Sequence, residues 1–154
     1  MNAFEQFLSG GRQAMLPSNP IEEIDMTDAH FPAQARSRQN LAVVLRSEGA
    51  AIAVLCTLYF SHLSGDWWLY FLAFLLPDLF MLGYLTGYRI GALCYNIGHS
   101  YLTPLLLAAA GVWFGLSLAA ELALIWGAHI GLDRAIGYGL KYNGHFKDTH
   151  LGRV

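Results

Sequence analysis

The sequence predicts an all-α membrane protein, a four-helix transmembrane up-down bundle with a polar N-terminal extension. Three observations predict it. Apolar residues fill 55% of the 154 positions and charged residues only 13%, against about a quarter charged in a soluble domain. Four apolar stretches follow one another after Leu41, each close to the ~20 residues that cross ~30 Å of hydrocarbon. With four spans, all nine lysines and arginines fall on one side of the membrane.

The elements follow in order. Residues 1–40 are polar and broken by Pro17, Pro20 and Pro32, with Glu22, Glu23, Asp25 and Asp28 among them. No apolar run there has the length of a secretory h-region. Phe4, Phe7 and Leu8 sit at helical spacing, so this extension is expected either to dock on a membrane surface or a membrane-protein partner, or to stay extended. The membrane domain is placed at 41–140. Its spans are about Leu41 to Leu63, Trp67 to Thr86, Ile90 to Ala110 and Leu116 to Tyr138. The links between them are short, which forces antiparallel neighbours. Arg12, Arg36, Arg38, Arg46, Arg89, Arg134, Lys141, Lys147 and Arg153 then share one side with both termini. The positive-inside rule puts that side in the cytoplasm, as for a multi-pass protein of a bacterial inner membrane. The C-terminal tail, 141–154, leaves the membrane there. A solvated tail is the simpler expectation; Lys141, Asp148 or His150 folded back as a lid or extra ligand is the alternative.

Composition also excludes. A net charge of -2 and the lack of a basic stripe argue against a nucleic-acid partner. Cys56 and Cys94 lie in apolar stretches without metal-ligand spacing and read as small buried hydrophobes. Gly87 and Gly91, and Gly127 and Gly131, are four apart, a spacing that lets helices approach closely in lipid. Pro77 and Pro104 interrupt spans and free backbone groups that neighbours must satisfy.

Ionisable residues inside the spans each cost about 2.5–3.5 kcal/mol on insertion scales. At ~1.5 Å per residue, Glu48 lies about 5–10 Å from the cytoplasmic end, Asp78 about 12 Å, His99 and His129 about 14 Å and Asp133 about 8 Å. All five fall in the cytoplasmic half, drawn from all four helices. His129 and Asp133 share a helix face, and so do Tyr95, Asn96 and His99. Asp78, His99, His129 and Asp133 are the candidate ligands of a divalent ion; carboxylates with imidazoles suit zinc, manganese or iron. Glu48 is the candidate general base or fifth ligand. Each residue also has a plainer explanation: the histidines as packing residues, Asp78 as a cap after Pro77, and Glu48 paired with Arg46 or Arg89.

Several motifs look familiar. Leu45-Arg46-Ser47-Glu48-Gly49, Leu76-Pro77-Asp78, Tyr95-Asn96-Ile97-Gly98-His99 and Ala128-His129-Ile130-Gly131-Leu132-Asp133-Arg134, with Gly137-Tyr138-Gly139-Leu140-Lys141-Tyr142 and Phe146-Lys147-Asp148-Thr149-His150-Leu151-Gly152, resemble an uncharacterised bacterial family of short four-span membrane proteins. A weaker similarity is to membrane-bound metal-dependent hydrolases. It runs through Leu76-Pro77-Asp78, His99-Ser100 and His129-x3-Asp133, and departs at Leu79-Phe80 and Tyr95-Asn96. That similarity implies a metal-dependent hydrolase acting on a lipid or other amphipathic substrate, with Arg134 or Lys141 near an anionic head group. A non-catalytic subunit of a membrane complex, docking through residues 1–40, is the alternative from another class. A b-type haem between His99 and His129, or an ion path along the carboxylates, are further readings of the same residues.

Overall fold

A computed structural model describes residues 26–63, 65–142 and 149–152. The predicted docking residues Phe4, Phe7 and Leu8 lie outside these. The chain divides into two compact units, Met1–Ala33 and Gln34–Val154, the second of which holds the apolar spans. Helix α1 spans Met26–Leu63, α2 Trp67–Phe74, a 3-10 helix Pro77–Thr86, α3 Tyr88–Gly98, α4 Leu102–Phe114 and α5 Ser117–Ile136. The described residues form no strand, only an isolated antiparallel bridge between Lys141 and Thr149.

The four apolar stretches map onto α1, α2 with the 3-10 helix, α3 with α4, and α5. The Arg36–Leu63 part of α1 and the Trp67–Thr86 segment are each long and apolar enough to cross a membrane. Helices α3 and α4 make a third crossing if taken as one span bent by 42°. Helix α5 has the length, but Glu121, Asp133 and Arg134 make it more polar. Only 6% of the most apolar window of the first span is buried in the protein. Such a face needs lipid as its solvent, so the chain is a helical membrane protein.

The second and third spans are both broken, and the breaks follow from the sequence. Asp66 starts α2: its carboxylate accepts from the backbone N–H of Trp68 and Leu69, at 3.1 and 3.3 Å. Pro77 has no N–H to continue the ladder, so α2 ends at Phe74 and the chain goes on in 3-10 geometry. A 3-10 run of 10 residues is unusual, because runs beyond about 3–4 residues have poor hydrogen-bond geometry. This one packs back along α3.

The third span breaks at His99–Tyr101. Two carbonyls stranded at the end of α3 find side-chain donors: Thr103 Oγ1 donates to Ile97 O at 2.5 Å, and Trp126 Nε1 to Gly98 O at 2.7 Å. These are the partners that a backbone break in lipid requires.

The core lies between α1, α2 and α5, where Phe60, Tyr70, Ala73, Ile125 and Ala128 cluster. Helices α1 and α5 meet through small residues. A Cβ on Gly131 would lie 2.7 Å from Ala53 N and Gly49 O, and one on Gly49 2.7 Å from Arg134 Cβ. Of the two predicted glycine pairs, Gly127 and Gly131 do face another helix, α1. Gly87 instead sits in the turn before α3 with φ of 133°, and Gly91 receives the Tyr84 ring.

Candidate metal centre

Each break delivers a polar side chain to the same place. Pro77 starts the 3-10 helix with Asp78 in its first turn. The end of α3 presents His99, and α5 presents His129 and, one turn on, Asp133. His99 and His129 are 3% and 4% exposed. Their Nε2 atoms are 3.4 Å apart. Asp78 Oδ1 lies 3.5 Å from each of them, so the three atoms form a nearly equilateral triangle able to hold a metal ion. Asp133 Oδ2 makes a second triangle on the same edge, 3.5 Å from His99 Nε2 and 3.7 Å from His129 Nε2.

The spacing would suit the ligands of a single ion. A tetrahedral ion with bonds of about 2.1 Å holds its ligands about 3.4 Å apart, whereas an octahedral one with the same bonds holds neighbours about 3.0 Å apart. The observed 3.4–3.5 Å edges match the first.

The surroundings orient the imidazoles. A carbonyl can only accept, so the 3.0 Å contact between His99 Nδ1 and Tyr95 O puts the His99 proton on Nδ1. Nε2 is then a bare lone pair aimed into the triangle, as in a ligating histidine. The Tyr95 ring stacks on His99 with centroids 3.8 Å apart and planes 10° apart. Phe74 covers the His129 ring edge-on at 5.0 Å. His129 Nδ1 is buried with no hydrogen-bond partner among the described residues.

Glu48 does not join this group. It is exposed on α1 and makes no ion pair among the described residues, with Arg46, Arg89 or any other. The depth estimate placed it level with the others, but depth does not fix direction around the helix. Its neighbour Gly49 takes the position facing α5, and one residue further round a helix is a turn of about 100°. A haem does not fit either: two Nε2 atoms at 3.4 Å with carboxylates against both leave no slot for a porphyrin.

The described parts of the C-terminal segment, 137–142 and 149–152, fold back on the bundle, against the simpler expectation of a solvated tail. Gly137, with φ of 100°, ends α5 in a Schellman turn: Tyr138 N donates to Asp133 O at 2.7 Å and Gly137 N to Arg134 O at 3.1 Å. The turn sends Tyr138–Lys141 back over α3. Asn96 acts there like a strand edge, accepting from Lys141 N at 2.7 Å and donating to Lys141 O at 2.9 Å. Lys141 is 6% exposed, and its ammonium lies 4.5 Å from the centre of the Tyr95 ring. Burial pulls it down to about 8, against the opposing pull of Asp133. His150 N donates to Leu140 O, and Arg134 Nη1 lies 3.1 Å from His150 Nε2. Burial, and then Arg134, lower His150, so it accepts as a neutral ring. His150 thus serves Arg134, and the metal triangle does without it. Tyr138 and Gly139 line a small void beside Tyr95, His99 and Asp133, closing the centre on that side.

These features define a helical membrane protein with a buried Asp/His/His group under a folded-back segment. The chain belongs to the family described as a domain of unknown function, DUF4260, which matches residues 42–154. The match opens one residue after the composition change at Leu41 and includes the folded-back segment. No curated protein and no solved structure matches the chain.

Two contributors escaped the sequence reading. Asn96 was grouped with Tyr95 and His99 by spacing, but its hold on Lys141 spans 45 residues and has no local signal. Phe74 looks like any apolar residue of a span until its ring is seen on His129.

Proposed function

We propose that the protein is a divalent-metal membrane enzyme, most simply a hydrolase acting on a lipid or other amphipathic substrate. The observation that carries this reading is the triangle of Asp78 Oδ1, His99 Nε2 and His129 Nε2, with edges of 3.4–3.5 Å. The tetrahedral spacing favours zinc over manganese or iron. Bound there, a divalent ion supplies Lewis acidity toward a water or a substrate oxygen. Three protein donors leave one tetrahedral position open, the mark of a catalytic rather than a structural site.

The chain's own residues would do the rest. Asp78, His99 and His129 hold the ion, and Tyr95 fixes the His99 tautomer. Asp133, against both imidazoles, takes the proton from the attacking water, the role first given to Glu48. Arg134, next to Asp133 in α5, or Lys141, which Asp133 attracts electrostatically, would meet an anionic head group. The hydrolase assignment rests on Leu76-Pro77-Asp78, His99-Ser100 and His129-x3-Asp133. The one-sided lysines and arginines support an orientation with both termini in the cytoplasm; the bacterial inner membrane rests on the resemblance to a bacterial family alone.

Elemental analysis of the purified full chain tests the reading. About one zinc per chain is expected, with the metal lost from His99→Ala and His129→Ala and retained by Glu48→Gln. Wild-type protein that takes up no divalent metal overturns it, and would return the buried group to a packing role within a non-catalytic subunit.

A further inference from the structure

Below the aromatic contact of Phe60 with Ile125 and Ala128, helix α1 meets α5 through a narrow seam of small residues, Gly49, Ala53 and Cys56 against Gly131 and Gly127. A groove remains on each side of that seam. The larger has a volume of about 560 Å³, with walls from α1 (Ala53, Val54, Leu58), α2 (Phe71, Phe74) and α5 (Leu132). The smaller, about 300 Å³, lies between α1, α4 and α5.

The larger groove is apolar along its length. Its two hydroxyls satisfy each other: Thr57 Oγ1 donates to Ala53 O at 2.8 Å and lies 2.7 Å from Tyr70 OH. Nothing in it would recognise a polar ligand. Its size suits a hydrocarbon chain. An apolar cavity of about 150 Å³ holds one benzene, so by that scale 560 Å³ holds roughly twenty carbons.

The groove also leads somewhere. Its inner wall is Ala128 and Leu132, the residues just before His129 and Asp133 in α5, and Phe74. The Phe74 ring stands 5.0 Å from the His129 ring. One aromatic side chain therefore separates the groove from the metal ligands. The smaller groove touches none of the four.

We propose that the larger groove binds the hydrocarbon chain of the amphiphile on which the metal centre acts, with the chain entering sideways from the bilayer between α1 and α2. This rests on the metal-enzyme reading and names its substrate class: a single-chain or acyl-bearing lipid whose reactive bond lies about one chain length from the groove's outer end, beyond Phe74. Phe74 then positions the chain against His129.

The test uses the full chain in nanodiscs of phosphatidylcholine carrying a photoactivatable diazirine in one acyl chain, with adducts mapped by peptide mass spectrometry and zinc measured on the same sample. Adducts should concentrate on Val54, Leu58, Phe71 and Leu132 and saturate near one per chain. Leu93 and Ile97, exposed on α3, report ordinary contact with bulk lipid. Val54→Trp and Leu58→Trp change exposed side chains, so folding is preserved while the groove fills. Groove adducts should fall at least about tenfold, the loss of roughly two buried methylenes, with zinc unchanged. Labelling no denser in the groove than at Leu93 and Ile97, or unaffected by both tryptophans, overturns the proposal. So does protein–protein crosslinking through Val54 and Leu58, which would mean that a second copy fills the groove. A labelled groove in protein without zinc would leave the chain site standing and remove the metal reading. Zinc with an unlabelled groove would do the reverse.

Discussion

The two carboxylates of the metal centre are not equivalent, and replacing each by its amide separates their roles. Asp78→Asn and Asp133→Asn keep volume and shape and remove one charge. A structural zinc site is worth about 10–16 kcal/mol in apparent binding free energy. Shared among three protein donors and a water, that is roughly 2.5–4 kcal/mol per donor, or about 10²–10³-fold in affinity. Asp78 Oδ1 lies 3.5 Å from both Nε2 atoms and closes the tighter triangle. Asp78→Asn should therefore weaken zinc at least about 100-fold. Asp133, at 3.5 and 3.7 Å, would act as an acceptor beside the proposed ion. Loss of such an outer partner costs about 10–100-fold, and Asp133→Asn should fall at the low end, near tenfold. Competition with a chromophoric chelator on detergent-solubilised protein reads both constants, with Glu48→Gln as the unaffected control. Equal losses, or a larger loss for Asp133→Asn, would make Asp133 the coordinating carboxylate and refute the assignment. Losses below about threefold for both would refute coordination by either.

Two further predictions concern what surrounds the centre. Asn96→Ala removes both side-chain bonds to Lys141, worth about 0.5–1.5 kcal/mol each. Amide exchange of residues 138–142 and 149–151 should accelerate by roughly 5–100-fold while α5 keeps its protection; unchanged exchange would show that these residues are held elsewhere. At the α1–α5 seam, Gly131→Ala drives a Cβ to 2.7 Å from backbone atoms of α1, whereas Gly127→Ala meets only Cys56 Sγ at 3.1 Å. The first should cost about 1–3 kcal/mol in detergent unfolding and the second less than about 1, and the opposite order would show that the helices do not meet as described.

The elements of this protein were largely legible because lipid imposes a simple rule. A span needs about 20 apolar residues. Pro77 and Pro104 stand at or just after the two breaks, where a missing backbone N–H is tolerated, whereas Pro32 sits within α1 without ending it. Pro77 and the Ser100–Pro104 stretch accordingly mark both interruptions. The residue types of the centre were legible for the same reason: a charge in a span is costly, so Asp78, His99, His129 and Asp133 stand out against their surroundings. Direction around a helix was not. Glu48 and Gly49 are one position apart, and only the pairing of Gly49 with Gly131 decides which of them faces α5. The partner surface for Gly131 was likewise invisible, because Gly49 and Ala53 become a seam only once α1 and α5 are neighbours.

The folded-back segment shows why some of this information is non-local. A polar stretch after a span reads as solvated tail, since nothing near Lys141 requires it to be buried. What buries it is Asn96, on another span, together with the left-handed turn at Gly137. The turn itself was written in the sequence: a glycine just after Arg134 at the end of an apolar helix is a stop signal. A stop signal says where a helix ends and leaves open where the chain goes next. Here the direction follows from Tyr138 N donating to Asp133 O. That bond attaches the start of the returning segment to the backbone of the same residue whose carboxylate faces both histidines. The cover and the centre are thus joined at one residue, Asp133, while Asn96 holds the segment further along at Lys141.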